Sequence, residues 1–332
     1  MLLAFDSTDS PAGGCTSRVL LDVLADLPGL VPKGLPRLVR LNPNAPWKTR
    51  GNAAVCVALG TPQGPFARGG EWRGAELRVH PEAGPAPASD ALLEHVWTIV
   101  RKAAQPEAAP AVVLLDEAPP QAAYWQAVRG VVEPEEAHAL LAACGAWWRA
   151  DGDGRAAVGA LAAASWPGPP SSYEFTAYRE PHRWGTPRLL ETGPLRILDA
   201  TGATFHTWDV EAERPACVPK TPCPVLLGLR GRDPDALAWA ATTTLPHVVR
   251  EPVDAWVLWA TNQASGDHVA TVPRVREAPP LATVEVEATV EARPEPMRGG
   301  HVRVRLRDAA GDTFHAVAFE PTHALAAAAR QL

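Results

Sequence analysis

The chain has 332 residues, 46% hydrophobic and 20% charged, a balance that fits folded domains with real cores and excludes a disordered protein. A net charge of −6 argues against coating nucleic acid by bulk electrostatics and leaves RNA binding to a local basic surface. No apolar run reaches membrane-spanning length, and Cys15, Cys56, Cys144, Cys217 and Cys223 include no C-x-x-C pair. A membrane partner, a disulfide framework and a structural zinc ribbon are therefore not expected, and the expected location is cytoplasmic.

In chain order, Leu2 to Asp6 is an apolar run of strand length, and Thr16 to Leu27 places Val19, Leu20, Val23, Leu24 and Leu27 at helical spacing before Pro28-Gly29. Leu35 to Leu41 and Ala53 to Leu59 read as strands, Ser89 to Ala104 as a capped helix and Ala111 to Leu115 as a buried strand. This order, βαββαβ, is the ferredoxin-like pattern, with residues 60 to 88 as a Gly/Pro-rich insertion. From Pro119 to Ala164 the pattern is helical, most clearly at Glu135 to Ala143 and Arg155 to Ala164, and Pro167 to Ser172 is a break. Beyond it, strands are expected at Tyr173 to Arg179, around Gly202 within Leu195 to Trp208, at Pro224 to Gly228 and at Trp256 to Ala260, with a helix from Pro234 to about Thr243. After Pro279-Pro280, Ala282 to Ala292, His301 to Arg307 and Thr313 to Phe319 alternate like strands of a small OB-like barrel, and Ala324 to Leu332 is helix-prone. The expected class is α+β and multidomain: 1–166 with a ferredoxin-like pattern and a helical segment, 167–277 as a second ferredoxin-like α/β unit, and 278–332 as the OB-like barrel.

The chemistry concentrates in the opening run. Asp6 and Asp9 close the first strand at a spacing where a divalent cation can sit. Ser7, Thr8, Ser10, the Gly13-Gly14 turn and Cys15 at the helix head offer hydroxyls, backbone N–H groups and a favourable dipole to a phosphate. The ordinary reading is a capped turn. A second dense segment, 42–52, brings Lys48 and Arg50 for phosphate oxygens, Trp47 for stacking on a base, and Asn42, Asn44, Thr49 and Asn52 for polar edges. Arg230, in Gly228-Leu229-Arg230-Gly231, and Asn262-Gln263 each follow a strand, where ligands of open sheets commonly lie. Neither a P-loop nor a protein-kinase motif set is present, so any ATP site lies outside both frameworks.

The opening run Phe5 to Thr16 and the segment Arg37 to Asn52 resemble the 2-agmatinylcytidine synthetases, archaeal enzymes that modify an isoleucine tRNA. So do Tyr173 to Arg179, Thr204 to Asp209, Pro222 to Gly231 and Thr261-Asn262-Gln263, in order over residues 1 to 270. The resemblance implies a kinase-like first region that uses ATP to phosphorylate O2 of the wobble cytidine, after which agmatine displaces the phosphate. It implies autophosphorylation at Thr16, Mg²⁺ on Asp6 and Asp9, and charge neutralisation by Lys48 and Arg50. Agmatine's cationic ends need carboxylates, for which Glu174, Asp209 and Asp267 qualify by sign and position. Two departures stand out: Ser7 replaces the second of a paired aspartate, and no Cys-rich zinc ribbon appears by Leu332. The rival readings are a related phosphotransferase without a tRNA substrate and a non-catalytic tRNA-binding homologue.

Overall fold

The structure is a computed structural model and describes residues 1–319. The helix-prone stretch Ala324 to Leu332 lies outside the described residues. Two compact units divide the chain, one of Met1–Val128 with Val132–Gly266 and one of Arg129–Val131 with Asp267 onward.

The first unit is built on one eleven-stranded sheet. Its principal strands are β1 (Leu2–Asp6), β2 (Arg37–Arg40), β3 (Ala53–Gly60), β4 (Ala67–Trp72), β5 (Ala75–Val79), β6 (Ala111–Leu115), β7 (Trp147–Ala150), β8 (Ser172–Arg179), β9 (Val225–Gly231) and β10 (Val253–Thr261). They lie in the order β9-β8-β10-β2-β3-β1-β6-β7, with the hairpin β4–β5 paired to β10. Neighbouring principal strands are antiparallel except at β2 and β10, which meet in parallel over Arg37 and Leu38 opposite Ala260 and Thr261. Among the strands of the opening pattern, β2-β3-β1-β6 is antiparallel throughout. Strands from both sides of residue 166 thus share one sheet.

Period-two alternation divides the core. Leu3 and Phe5 of β1 join Val55 and Val57 against α1 (Thr16–Ala25) and α2 (Asp90–Ala103). Leu2 and Ala4 join Ala54, Cys56 and Val113 on the other face, in a cluster with α3 (Ala122–Arg129), α4 (Pro134–Ala143) and α5 (Ala156–Ser165). With both faces covered, β1 reads as a continuous apolar run. At α2, Ser89 Oγ accepts from Leu92 N–H at 3.3 Å, the expected cap. A third cluster joins Phe175, Leu227, Leu229 and Leu258 to α6 (Leu195–Leu198) and α7 (Pro234–Val248).

Three elements differ from expectation. Leu195 and Leu198 are buried as one face of a short helix, followed by a 3₁₀ turn at Asp199–Thr201, where strands were expected. Pro194 at the helix start and burial at i, i+3 explain the helix. The 60–88 insertion holds the β4–β5 hairpin, and Trp147-Trp148 lie in an edge strand rather than a helix.

In the second unit, Val269–Thr271 pairs in parallel with Thr283–Glu285. Val302–Asp308 pairs with Ala288–Val290, Glu295–Pro296 and Thr313–Ala318, all antiparallel. Among the described residues these four strands form an open sheet, with Val302 and Val304 buried on one face. The observed class is therefore mixed α+β in more than one unit.

Candidate functional site

The alternation that sorts β1 between its two layers also aims its last residue. Asp6 follows Leu2 and Ala4 onto the α5 face. Its Oδ1 accepts from Ser7 N–H at 2.6 Å, and Ser7 holds a left-handed backbone at φ +59°. Burial pushes the Asp6 carboxyl up to about 8, opposed by the Ser7 N–H and reinforced by the charge of Asp9.

The chain then doubles back. Ser10 and Gly13 exchange backbone hydrogen bonds at 2.9 and 3.1 Å, which closes the Pro11-Ala12 turn. Gly14 sits at φ +79°, and a Cβ there would lie 2.8 Å from Gln105 Cγ, so the turn requires glycine. Arg50 straps this loop from the side: its Nη2 donates to Asp9 Oδ2 at 2.5 Å, to Gly13 O at 3.1 Å and to Gly14 O at 2.7 Å. Thr49 Oγ1 donates to the same Asp9 oxygen at 2.8 Å. Cys15 caps α1 by position, and burial, with Cys223 nearby, pushes its thiol up. Thr16 opens the helix with its hydroxyl buried, accepting from Thr8 N–H at 3.3 Å and from Thr8 Oγ1 at 3.2 Å.

Only some of these residues line the neighbouring cleft of about 280 Å³; Asp6, Ser7, Thr8, Ser10 and the Gly13-Gly14 turn are not among its lining residues. Asp9, Cys15, Thr16 and Arg50 line one part of it, and Arg40, Glu174 and Arg230 line another. Glu174, at the start of β8, receives Arg40 Nη2 at 2.8 Å and lies 3.9 Å from Arg230 Nε. Arg40 Nε, Arg50 Nη1 and Arg230 Nε are all buried without a hydrogen-bond partner. Buried donors of this kind are costly unless something fills the space in front of them. Three such donors in one cleft are chemically suited to an anion with several oxygens.

The 42–52 segment divides its residues between architecture and surface. Asn42 is buried: its N–H donates to Ala127 O at 3.0 Å, its Oδ1 accepts from Asn44 N–H at 2.9 Å, and its carbonyl accepts from Asn52 Nδ2 at 2.9 Å. Trp47 is 54% exposed, with the Arg155 guanidinium carbon 3.9 Å from its ring centroid. Lys48 folds back onto Pro43 O.

Asn262, fully buried, bridges the parallel seam of β2 and β10. Its Oδ1 accepts from Arg40 N–H at 2.7 Å, and its Nδ2 donates to Arg40 O at 2.9 Å and Tyr124 Oη at 2.8 Å. Gln263 O accepts from Ser172 Oγ at 2.6 Å. Of the three candidate carboxylates, Glu174 lies in the cleft, Asp209 pairs with Arg214 at 3.7 Å, and Asp267 belongs to the second unit.

The chain matches two family models, the TiaS TCKD domain over residues 2–149 and the TiaS FLD domain over residues 154–268. It is 34% identical to the isoleucine-tRNA 2-agmatinylcytidine synthetase TiaS of Methanopyrus kandleri, over 97% of this chain and 71% of that protein. The chain belongs to the TiaS family. The Methanosarcina acetivorans member is 31% identical over 100% of this chain and 75% of its own length. Two crystal structures of TiaS superpose on the whole chain. A complex of TiaS with its isoleucine tRNA and ATP does so with TM-score 0.82 and 27% identity over 75% of that chain. A complex with the tRNA, AMPCPP and agmatine does so with TM-score 0.80 and 26% identity over 76%.

Against the family frame, the cleft gathers Asp9, Cys15, Thr16, Arg50 and Arg230 from the expected set. Asn42, Asn52 and Asn262 are used to build loop and seam. Arg40 was missed, although its place at the end of an R-L-V-R strand beside the asparagine-rich segment was a usable signal.

Proposed function

We propose that this chain is an ATP-dependent ligase that replaces the C2 oxygen of a cytidine in an isoleucine tRNA with agmatine. The observation that carries the reading is the cleft in which three guanidinium groups hold buried, unpartnered N–H donors beside Thr16, Asp9 and Glu174. In the first half-reaction ATP supplies a phosphoryl group to cytidine O2, and the rest of the cleaved nucleotide leaves. In the second, the primary amine of agmatine attacks C2 and sheds a proton, and inorganic phosphate leaves with the former O2.

In this reading Arg40, Arg50 and Arg230 bind phosphate oxygens and stabilise charge on the group in transfer. Ser7, Thr8, Ser10 and the Gly13-Gly14 turn shape the ATP end, and Thr16 accepts a phosphoryl group once Thr8 releases its hydroxyl. Glu174 receives one cationic end of agmatine when the two arginines beside it turn to phosphate. Trp47, Asn44 and Lys48 contact the RNA. Mg²⁺ fits the donor set: the ion typically takes one or two carboxylates and completes its shell with phosphates and water. Asp6 and Asp9 supply such carboxylates, and no cluster of three or more His, Cys, Asp or Glu occurs among the described residues. When bound, the ion offsets phosphate charge.

The order β2-β3-β1-β6 with two crossover helices supports reading residues 1–166 as a kinase-like region on a ferredoxin-like unit. Segment 167–277 is read as a second ferredoxin-like unit, and the alternating strands of 278–332 as part of an OB-like module. No helix among the described residues is long and apolar enough to cross a membrane, and we place the enzyme in the cytoplasm.

The test is incubation with γ-labelled ATP, Mg²⁺, isoleucine tRNA and agmatine. Label on Thr16 and an agmatine-sized mass gain on one cytidine are expected, with the mass gain lost in Arg230→Met. Unchanged tRNA and uncleaved ATP with the wild-type chain would overturn the reading.

A further inference from the structure

We propose that Gly159 is a positioning residue for the reaction: the space left by its missing side chain is the slot that seats the Asp6 carboxylate. The proposal rests on the reading of Asp6 as part of the reacting site. A Cβ built on Gly159 would lie 1.9 Å from Asp6 Oδ2 and 2.8 Å from its Cγ. The three atoms nearest to that Cβ all belong to Asp6.

Backbone conformation does not call for glycine there. Gly159 lies inside α5 and does not take a positive φ, so any residue could adopt its geometry. Packing elsewhere along α5 accepts methyl groups, because Ala156, Ala157, Ala160, Ala162, Ala163 and Ala164 are all buried. What distinguishes position 159 is the carboxylate opposite it.

The two ends of that carboxylate are thereby fixed by different devices. Oδ1 is held by the Ser7 N–H at 2.6 Å, and Oδ2 enters the slot on α5. A methyl group at 159 must push Oδ2 aside, and displacements of about 1 Å at a reacting centre cost on the order of 100-fold in rate.

Helix propensity makes the test sensitive to sign. Glycine to alanine inside a helix ordinarily raises stability. Melting temperatures are compared for wild type, Gly159→Ala, Asp6→Ala and the double variant, with kcat and KM for ATP measured in the tRNA-dependent reaction. The expected result is a lower Tm for Gly159→Ala, with no such loss when Asp6→Ala is the background, where the contact relaxes to the 3.2 Å separation from Asp6 Cβ. Gly159→Ala should also lose about 100-fold in kcat with KM for ATP within about threefold. If Gly159→Ala fails to fold, recovery of folding in the double variant supports the slot, and failure of both overturns it.

Equal Tm losses in the two backgrounds, or wild-type Tm and kcat in Gly159→Ala, would overturn the proposal. A reversal of the Tm effect together with full activity in Asp6→Ala would locate the failure elsewhere. The slot would stand, but Asp6 would have no part in the reaction and Gly159 nothing to position.

Discussion

Replacing Asn262 by alanine removes the side chain that joins β2 to β10 just beyond their two paired positions. Two groups of Arg40, its N–H and its carbonyl, lose their partners, and Tyr124 loses one bond. A buried backbone group left without a partner costs about 1–3 kcal/mol, and a lost net hydrogen bond about 1 kcal/mol, so Asn262→Ala should cost on the order of 4 kcal/mol. Tyr124→Phe should cost less, about 1–3 kcal/mol, because it leaves one buried donor of Asn262 Nδ2 without its acceptor and keeps both bonds to Arg40. Asn262→Asp keeps the shape but turns the Nδ2 donor into an acceptor facing Arg40 O, so it should be as damaging as alanine. Urea unfolding followed by tryptophan fluorescence reads the effect as a lower midpoint at unchanged slope. An unchanged midpoint in Asn262→Ala, with weaker tRNA binding alone, would refute the structural assignment and return Asn262 to substrate recognition.

Burial raises Asp6 to about 8, so in the ligand-free protein the folded chain holds a proton that the unfolded chain releases near the ordinary aspartate value of about 4. Asp6 therefore subtracts stability progressively as pH rises through that window. Asp6→Asn should flatten this part of the stability–pH curve, and chemical denaturation at pH 5 and pH 8 checks it. Arg179 and Glu251 form a pair with side chains 0% and 1% exposed, 2.8 Å apart, so Arg179→Met should cost about 3–5 kcal/mol, read as a large fall in Tm. Arg50→Met removes the strap over Asp9, Gly13 and Gly14. It should lower kcat/KM for ATP at least about tenfold and also lower Tm, since Asp9, 17% exposed, and the Gly13 and Gly14 carbonyls each lose a partner; unaltered kinetics would remove Arg50 from the site.

Local pattern made much of this fold readable. The apolar run Leu2–Phe5, the period of α1 and the Ser89 cap are properties of neighbouring residues, and the corresponding elements stand within a few positions of expectation. The β4–β5 hairpin was illegible because its first strand carries Gly69-Gly70 in place of packing side chains. The reason lies far along the chain: a Cβ on Gly70 would come within 2.4 Å of Trp256 O on β10. At the site, Asp9, Thr16 and Arg50 could be named because they cluster in two short segments. Arg40 and Glu174 face each other across 134 positions, and Gly159 carries no functional group at all, so only the fold shows that the first two pair and that the third lies against Asp6.

The sheet also bears on how the protein can be handled. The two matched family segments end and begin near residue 150, which invites expression as separate fragments. Yet β10, from the second segment, has one edge filled entirely by first-segment strands, with β4 covering Ala255 to Val257 and β2 covering Ala260 and Thr261. A cut at that boundary would leave β2 and β4 with raw edges on one fragment. On the other, Trp256 and Trp259 would sit on a strand open to any passing chain. Fragments prepared this way should aggregate alone and regain solubility when co-expressed, so what the sequence divides in two behaves as one folding cooperative.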